Sequence, residues 1–292
     1  MYPLTTAWTL YRETKKLNTH STTVDKNRWQ KHIAPYFEEK PIEEITSLEI
    51  THFRMHLERK GLSPQSVTNI LGLLRRVIKR AAKLECYKGP IPFFEMPRFD
   101  NRRMRYLTSD EAHLLLEALR ERSEQWHDIA SFALYTGMRA GEIFGLTTSH
   151  LNLKTGHVLV TGTKTGKDRI IPLNTLARNT VERCLKGRPN GGLLFPRQDN
   201  KSYRLVSPVF AKAVKACRLN DGIPDRRNRI VFHSLRHTFA SWLVQAGTPL
   251  LVVGQLLGHS TLQMTMRYAH LAPDQGALAV EYICEILSSR AA

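Results

Sequence analysis

Residues 150–173 read HLNLKTGHVLVTGTKTGKDRIIPL, a stretch in which apolar residues alternate instead of recurring every third or fourth position. HLNL, HVLV and RIIPL, broken by Lys154-Thr155-Gly156 and by a turn at Thr165-Gly166, predict three short antiparallel strands. Helical patterns lie on both sides. Thr108 and Glu111 form a capping box that opens a helix over TSDEAHLLLEALRER, and a second helix near 124–136 ends at Thr136-Gly137. After the strands, helices are expected near 174–186, 207–218, 234–246, 249–257, 260–270 and 274–288, the fifth of these capped by Ser260 and Gln263.

Upstream, helical spacing covers 22–38, 47–60 and 64–85, with a weaker segment near 5–17. The clearest helix starts at Ser63-Pro64, a good N-cap and first-turn pair, and carries Val67, Ile70, Leu71, Leu74, Ile78 and Ala81 on one face. GPIPFFEMPRFDNRRMRY, 89–106, holds three prolines and a basic run and reads as a connection. The expected fold is therefore mainly α. An N-terminal helical bundle (1–88) is followed by a linker (89–103) and by a mostly helical domain with a small three-stranded antiparallel sheet (104–292).

A chain of 292 residues is long enough for two domains, each with its own core. Its net charge is +17, spread over both halves: 17 basic against 11 acidic residues up to residue 100, and 26 against 15 beyond it. With 42% apolar residues this is a folded cationic protein, which points to a nucleic acid partner. The most apolar stretch, Pro249 to Leu257, is too short to span a membrane, and the N-terminus lacks a signal-peptide pattern. A cytoplasmic, DNA-associated protein is expected, with no membrane partner. Cys86, Cys184, Cys217 and Cys284 lie far apart, so neither a zinc ribbon nor a disulfide framework is suggested.

Four clusters have residues suited to chemistry. In TGMRAGE, 136–142, a glycine break starts a new helix beside Arg139, although an Arg139–Glu142 surface pair is the plainer reading. GTKTGKDR, 162–169, fails as a P-loop because the glycines are one residue too close and Asp168 follows Lys167; as a β-turn it projects Lys164 and Lys167. In FHSLRHTFASWL, 232–243, His233, Arg236 and His237 share a helical face. Ser234 stands where a zinc protease needs glutamate, and Arg236 would repel a cation, so no metal site is expected and a phosphate anion suits these donors better. In LLGHSTLQMTMRYAH, 256–270, His259 precedes the helix that presents Tyr268; a rise of about 1.5 Å per residue would put the two more than roughly 12 Å apart along its axis.

Taken together, TGMRAGEI, TGTKTGKDRIIPL, HSLRHTFA, LLGHS and the Tyr268 segment resemble, in order, the motifs of the tyrosine recombinase family, the phage-integrase type. The resemblance covers the chain from about residue 104, and the preceding bundle looks like the family's core-binding domain. It implies strand cleavage and rejoining without metal, ATP or other cofactor, through a 3′-phosphotyrosyl intermediate. Arg139 and Arg236 would hold the phosphoryl oxygens, with His233 and His259 donating further bonds or helping to remove the phenol proton. Lys164 would protonate the departing 5′-oxygen, and Tyr268 would attack. Glu142 would brace Arg139, and His237 is expected in a supporting position.

The expected partner is double-stranded DNA, with the protein a homotetramer on synapsed sites and a monomer or dimer when free of DNA. Candidate DNA contacts are Arg75, Arg76, Lys79, Arg80 and Lys83, five cations on one helix without an intervening acid, together with Lys167 and the DRRNR loop residues Arg226, Arg227 and Arg229. The helix at 274–288 would dock either on its own domain or on a neighbouring protomer. About 20 residues precede the first strong helix, so the chain reads as a compact member without the arm-binding domain of many phage integrases, or as a shortened one. Integration into DNA as part of a phage or mobile element is the leading role. Two other readings are a type IB topoisomerase-like DNA relaxing enzyme and a non-catalytic DNA-binding protein derived from a recombinase.

Overall fold

The computed structural model describes residues 1–14, 19–37, 40–99, 105–162, 168–273 and 280. The chain forms two compact units, Met1–Asn101 and Arg102–Ala292. The expected helix at 274–288 and the turn at Thr165-Gly166 lie outside the described residues. No described helix is long and apolar enough to cross a membrane.

The first unit is built on α5 (Pro64–Lys83), with Ser63 as N-cap and Pro64 in the first turn. Its buried face, Val67, Ile70, Leu71, Leu74, Val77, Ile78 and Ala81, packs against α1 (Leu4–Thr14) and α4 (Ser47–Arg59). Burying each large side chain is worth about 1.5–3 kcal/mol, more than the helix's intrinsic propensity provides. The segment predicted as one helix over 22–38 is α2 (Thr19–Arg28), a π turn (Trp29–Ile33) and α3 (Ala34–Phe37). The widened turn buries both Trp29 and Ile33, and Trp29 stacks on Trp8 with ring centroids 4.6 Å apart. After Lys88 the chain runs extended but stays on this unit. Phe94 is buried in its core, Phe93 N–H donates to Ser47 Oγ (2.9 Å), and Arg54 pairs with Glu95 (3.2 Å).

The second unit surrounds a larger core made by α6 (Ser109–Arg122), α7 (Glu124–Thr136), α8 (Ala140–Phe144), α9 (Thr175–Leu185), α10 (Pro208–Ala216) and α11 (Phe232–Gln245). The Thr108–Glu111 capping box is formed. The strands β1 (Leu151–Asn152), β2 (His157–Val160) and β3 (Arg169–Pro172) make an antiparallel sheet in the order β1-β2-β3. Its register pairs Val158 with Ile171 and Val160 with Arg169. Val158, Val160 and Ile171 enter the core, while Leu159 and Ile170 face outward.

One expected helix is corrected. Beyond α12 (Leu250–Leu257), the segment predicted as a helix over 260–270 is two 3-10 pieces, Leu262–Met264 and Met266–Leu271. The Ser260–Gln263 capping box is not formed; Ser260 Oγ faces Met264 Sδ instead (3.7 Å). The reason is tertiary. Side chains three residues apart eclipse in a 3-10 helix, so Thr265 and Tyr268 share one face and both are buried.

Shortening Leu74 to Ala should cost the first unit about 2–5 kcal/mol. Hydrogen exchange should then accelerate over residues 1–99 and remain unchanged over 105–273.

Candidate active site

Two helices of the second unit end at glycines in the left-handed region. Gly137 (φ 64°) closes α7, and Gly258 (φ 64°) closes α12. Helix ends leave carbonyls without partners, and these carry the negative end of the helix dipole. Arg236, on α11, uses both: Nη1 donates to Gly137 O (2.7 Å) and Nη2 to Leu257 O (2.6 Å). Arg236 is 4% exposed. Burial, and then the Arg139 charge, push it down to about 9, so it stays charged at neutral pH. Gly137 admits no side chain, because a Cβ there would lie 2.4 Å from the Phe239 ring.

Arg139 follows Gly137 as the N-cap of α8, and its backbone N–H donates to Glu142 Oε2 (2.9 Å) while Nη1 donates to Oε1 (2.9 Å). Glu142 is also gripped from the opposite side by Arg169, with Nη1 to Oε1 at 3.1 Å and Nη2 to Oε2 at 2.7 Å. Arg169 Nε donates to Leu256 O at 3.0 Å, which satisfies another carbonyl at the end of α12. Burial alone would raise the Glu142 carboxyl, but the bonds from Arg169 and from the Arg139 backbone outweigh it and hold the group at about 2. Three guanidinium groups and one carboxylate leave a local surplus of about two positive charges, an arrangement suited to an anion. A cleft of about 400 Å³ opens beside Arg139 and Glu142 and is also lined by His150 and Thr161.

His259 and Tyr268 meet this cluster through Thr265. His259 Nδ1 lies 2.8 Å from Thr265 Oγ1, and Tyr268 N–H donates to Thr265 O at 2.9 Å. The segment between them is two 3-10 pieces, so the separation calculated for an unbroken α-helix does not apply. Burial, followed by the charges of Arg236 and Arg139, lowers His259 to about 4, so its imidazole is neutral at pH 7. Tyr268 is 5% exposed and packs with Ala240, Val244, Val253 and Leu257. Its hydroxyl lies 2.6 Å from His237 Nδ1. Burial raises the phenol above its usual value, opposed by Arg267 and Arg236. His233 stands on the same face of α11, its ring edge-on to His237 at 4.8 Å.

Arg139, Glu142, Arg236, His237, His259 and Tyr268 are thus gathered at one place, with His233 beside His237. Lys164 and Lys167 lie outside the described residues. Arg169 was not singled out in the sequence, although strand alternation carries the signal: if Ile171 points into the core, so does Arg169. Thr265 has no comparable signal. Among the described residues no group of three or more His, Cys, Asp or Glu side chains is arranged to hold a metal ion.

The candidate DNA contacts divide. On α5, Arg75, Arg76, Lys79 and Lys83 are exposed and Arg80 is half-buried, and Arg76 and Arg80 also bond within the unit. Arg76 reaches Tyr11 Oη (3.2 Å) and Asp25 (3.5 Å), and Arg80 reaches Thr14 Oγ1 (2.8 Å) and Thr14 O (3.0 Å). Arg226, Arg227 and Arg229 are exposed on a 3-10 turn, with Arg227 paired to Asp225 at 2.6 Å and Arg229 Nε donating to Ile223 O at 2.9 Å.

A carboxylate held below its unfolded value stabilises the fold above that value and loses this contribution as the pH falls through the folded one. Glu142 should therefore contribute about 3 kcal/mol above pH 4.5, lost between about pH 4.5 and 2. Urea denaturation across that window should show Glu142→Gln less stable at neutral pH and less sensitive to acid. By NMR, His259 should stay neutral until the pH approaches about 4, and inorganic phosphate should raise its titration midpoint, because an anion favours the imidazolium.

Residues 105–275 match the phage integrase family, and residues 4–57 match its N-terminal SAM-like domain. The integrase of Salmonella phage P22 is 29% identical over 213 residues, covering 70% of this chain and 53% of that protein. Tyrosine recombinase XerC of Natranaerobius thermophilus is 28% identical over 244 residues, covering 78% of this chain and 79% of the relative. The chain thus spans about half the length of the P22 integrase. Among solved structures, the Tn1549 transposon integrase in complex with a circular intermediate DNA has a TM-score of 0.77 at 20% identity, covering 94% of this chain and 98% of that one. A lambda integrase tetramer bound to a Holliday junction gives 0.72 at 20% identity, covering 94% and 78%. These structures share the fold, and the match over 105–275 takes in every catalytic candidate from Arg139 to Tyr268. The chain belongs to the phage integrase family, the tyrosine recombinases.

Proposed function

We propose that this protein is a site-specific DNA recombinase that cleaves and rejoins strands through a 3′-phosphotyrosyl intermediate, without metal or ATP. The observation that carries this reading is the phenol of Tyr268, held beside a buried arginine cluster with a surplus of positive charge. A phosphodiester is already anionic, and attack on phosphorus loads further charge on its oxygens. Arg236 and Arg139 supply fixed donors where that charge develops. Because Arg236 is bolted to two helix ends, it needs no reorganisation at the moment of reaction. His259, neutral and anchored through Nδ1, presents its other ring nitrogen, and His233 adds a further donor.

Tyr268 Oη attacks phosphorus, the P–O5′ bond breaks, and Lys164 supplies the proton to the leaving oxygen. The ester bond conserves energy, so a different 5′-hydroxyl can resolve it, which is what exchange of strands requires. Arg75, Arg76, Lys79, Arg80 and Lys83 on the first unit, with Lys167, Arg226, Arg227 and Arg229 on the second, would contact phosphates of the duplex. Exchange between two sites calls for four protomers, and the proposed assembly is a homotetramer on synapsed DNA, with integration as the biological role.

Incubation with negatively supercoiled plasmid in EDTA without ATP, quenched in SDS, should yield relaxed plasmid or covalent protein–DNA product. Tyr268→Phe should abolish it, and Arg236→Ala should reduce it by about 10²–10³-fold or more. Product that survives Tyr268→Phe would overturn the reading. Salt-sensitive DNA binding with no product on any DNA, including a half-site trap, would mark a non-catalytic binder.

A further inference from the structure

We propose that His237 is the base that takes the phenolic proton from Tyr268 during attack, a catalytic contact separate from those given to His233 and His259. The inference rests on the reading of Tyr268 as nucleophile and adds the destination of its proton. It starts from geometry. Tyr268 Oη and His237 Nδ1 are 2.6 Å apart, both residues are buried, and the rings are tilted with centroids 6.0 Å apart. This is the hydrogen bond of the Tyr268 hydroxyl among the described residues.

The other imidazoles are placed differently. His259 has its Nδ1 against Thr265 Oγ1 at 2.8 Å, and His233 meets the His237 ring edge-on at 4.8 Å. Position along α11 explains the division of labour. Residues 233, 236 and 237 share a face, so a helix that aims Arg236 at the ends of α7 and α12 also carries His237 onto the 3-10 segment that bears Tyr268. The helix fixes one partner, and the eclipsed Thr265–Tyr268 pair fixes the other.

The step requires His237 to begin as the neutral tautomer that carries its proton on Nε2 and accepts at Nδ1. As the Tyr268 Oη–P bond forms, the phenolic proton passes to Nδ1, while the P–O5′ bond breaks and its electron pair takes a proton from Lys164. In religation the 5′-hydroxyl attacks, the Tyr268–phosphate bond breaks, and His237 returns its proton to the phenolate. Arg236 and Arg267 act on the phenol electrostatically and favour its ionised form. A DNA phosphate in the site would favour the imidazolium that the transfer creates.

The test separates a base from a supporting residue by making the base unnecessary. With supercoiled plasmid as probe, His237→Ala should slow formation of the covalent complex by about 10²–10⁴-fold. His237→Gln should be comparably slow, since an amide accepts the hydrogen bond but cannot take the proton. When Tyr268 is replaced by a fluorinated tyrosine that ionises near neutrality, the His237→Ala protein should regain at least about tenfold in rate and lose much of its pH dependence between neutral and alkaline pH. A fluorotyrosine that gives no gain in the His237→Ala background, or a fully active His237→Gln protein, would overturn the proposal. Covalent product from Tyr268→Phe would instead overturn the underlying assignment of the nucleophile.

Discussion

Arg236 donating to Gly137 O and Leu257 O is the interaction around which the second unit is arranged. An isolated buried guanidinium costs several kcal/mol, and hydrophobic packing cannot compensate for it. Here the compensation comes from two helix ends, whose carbonyls would otherwise be orphans. Each partner thus resolves the other's deficit. The ends of α7 and α12 must come within hydrogen-bonding reach of one side chain, and this fixes where α8 begins, where Arg139 emerges and where His259 stands. Glu142 extends the arrangement to the sheet, because a single carboxylate spans Arg139 on α8 and Arg169 on β3. Removing it would leave three cations with no acidic partner in the cluster.

Chemistry follows from the same imbalance. Groups that hold helices together are rarely available to a ligand, yet Arg139 keeps nearly a third of its side chain exposed while bonded to Glu142. Arg236 and Arg169 are structural on one side and set the potential of the site on the other. The neutral state of His259 and the protonated state of Tyr268 are both consequences: burial penalises charge on either, and the neighbouring arginines add to the first effect and oppose the second.

Much of this was legible in the residues. Helix α5 announced itself by the Ser63-Pro64 cap and by apolar residues every three or four positions, and the sheet by alternation with breaks at turns. These are local signals, complete within about twenty residues. Arg139, Arg236, His259 and Tyr268 were legible as an ordered set and not individually. What the local pattern does not show depends on partners distant in the chain. Arg76 and Arg80 read as members of a uniform basic face, and their additional bonds to Tyr11, Asp25 and Thr14 are not visible in that pattern. The Tyr268 segment has a helix-like pattern, yet Thr265 is buried against Gly254, where an added Cβ would lie 2.9 Å from its hydroxyl, and against His259. No window of sequence around Thr265 contains that constraint. Nor does the order of residues say that Tyr268 will arrive at His237 and not at His233.

Arg236 sits on an α-helix and Arg169 on a strand, and Arg139 caps α8, whereas Tyr268 rides with Arg267 on six residues of 3-10 helix. Short 3-10 turns have poorer hydrogen-bond geometry than α-helices and reorganise at smaller cost. On the proposed function, affinity for phosphate and delivery of the nucleophile fall to parts of different stiffness. In that reading the arginines stand ready before DNA arrives, and bringing the nucleophile forward means lifting Tyr268 from its packing against Ala240, Val244, Val253 and Leu257. An enzyme that must cut only after its strands have been aligned gains a safety catch from that asymmetry.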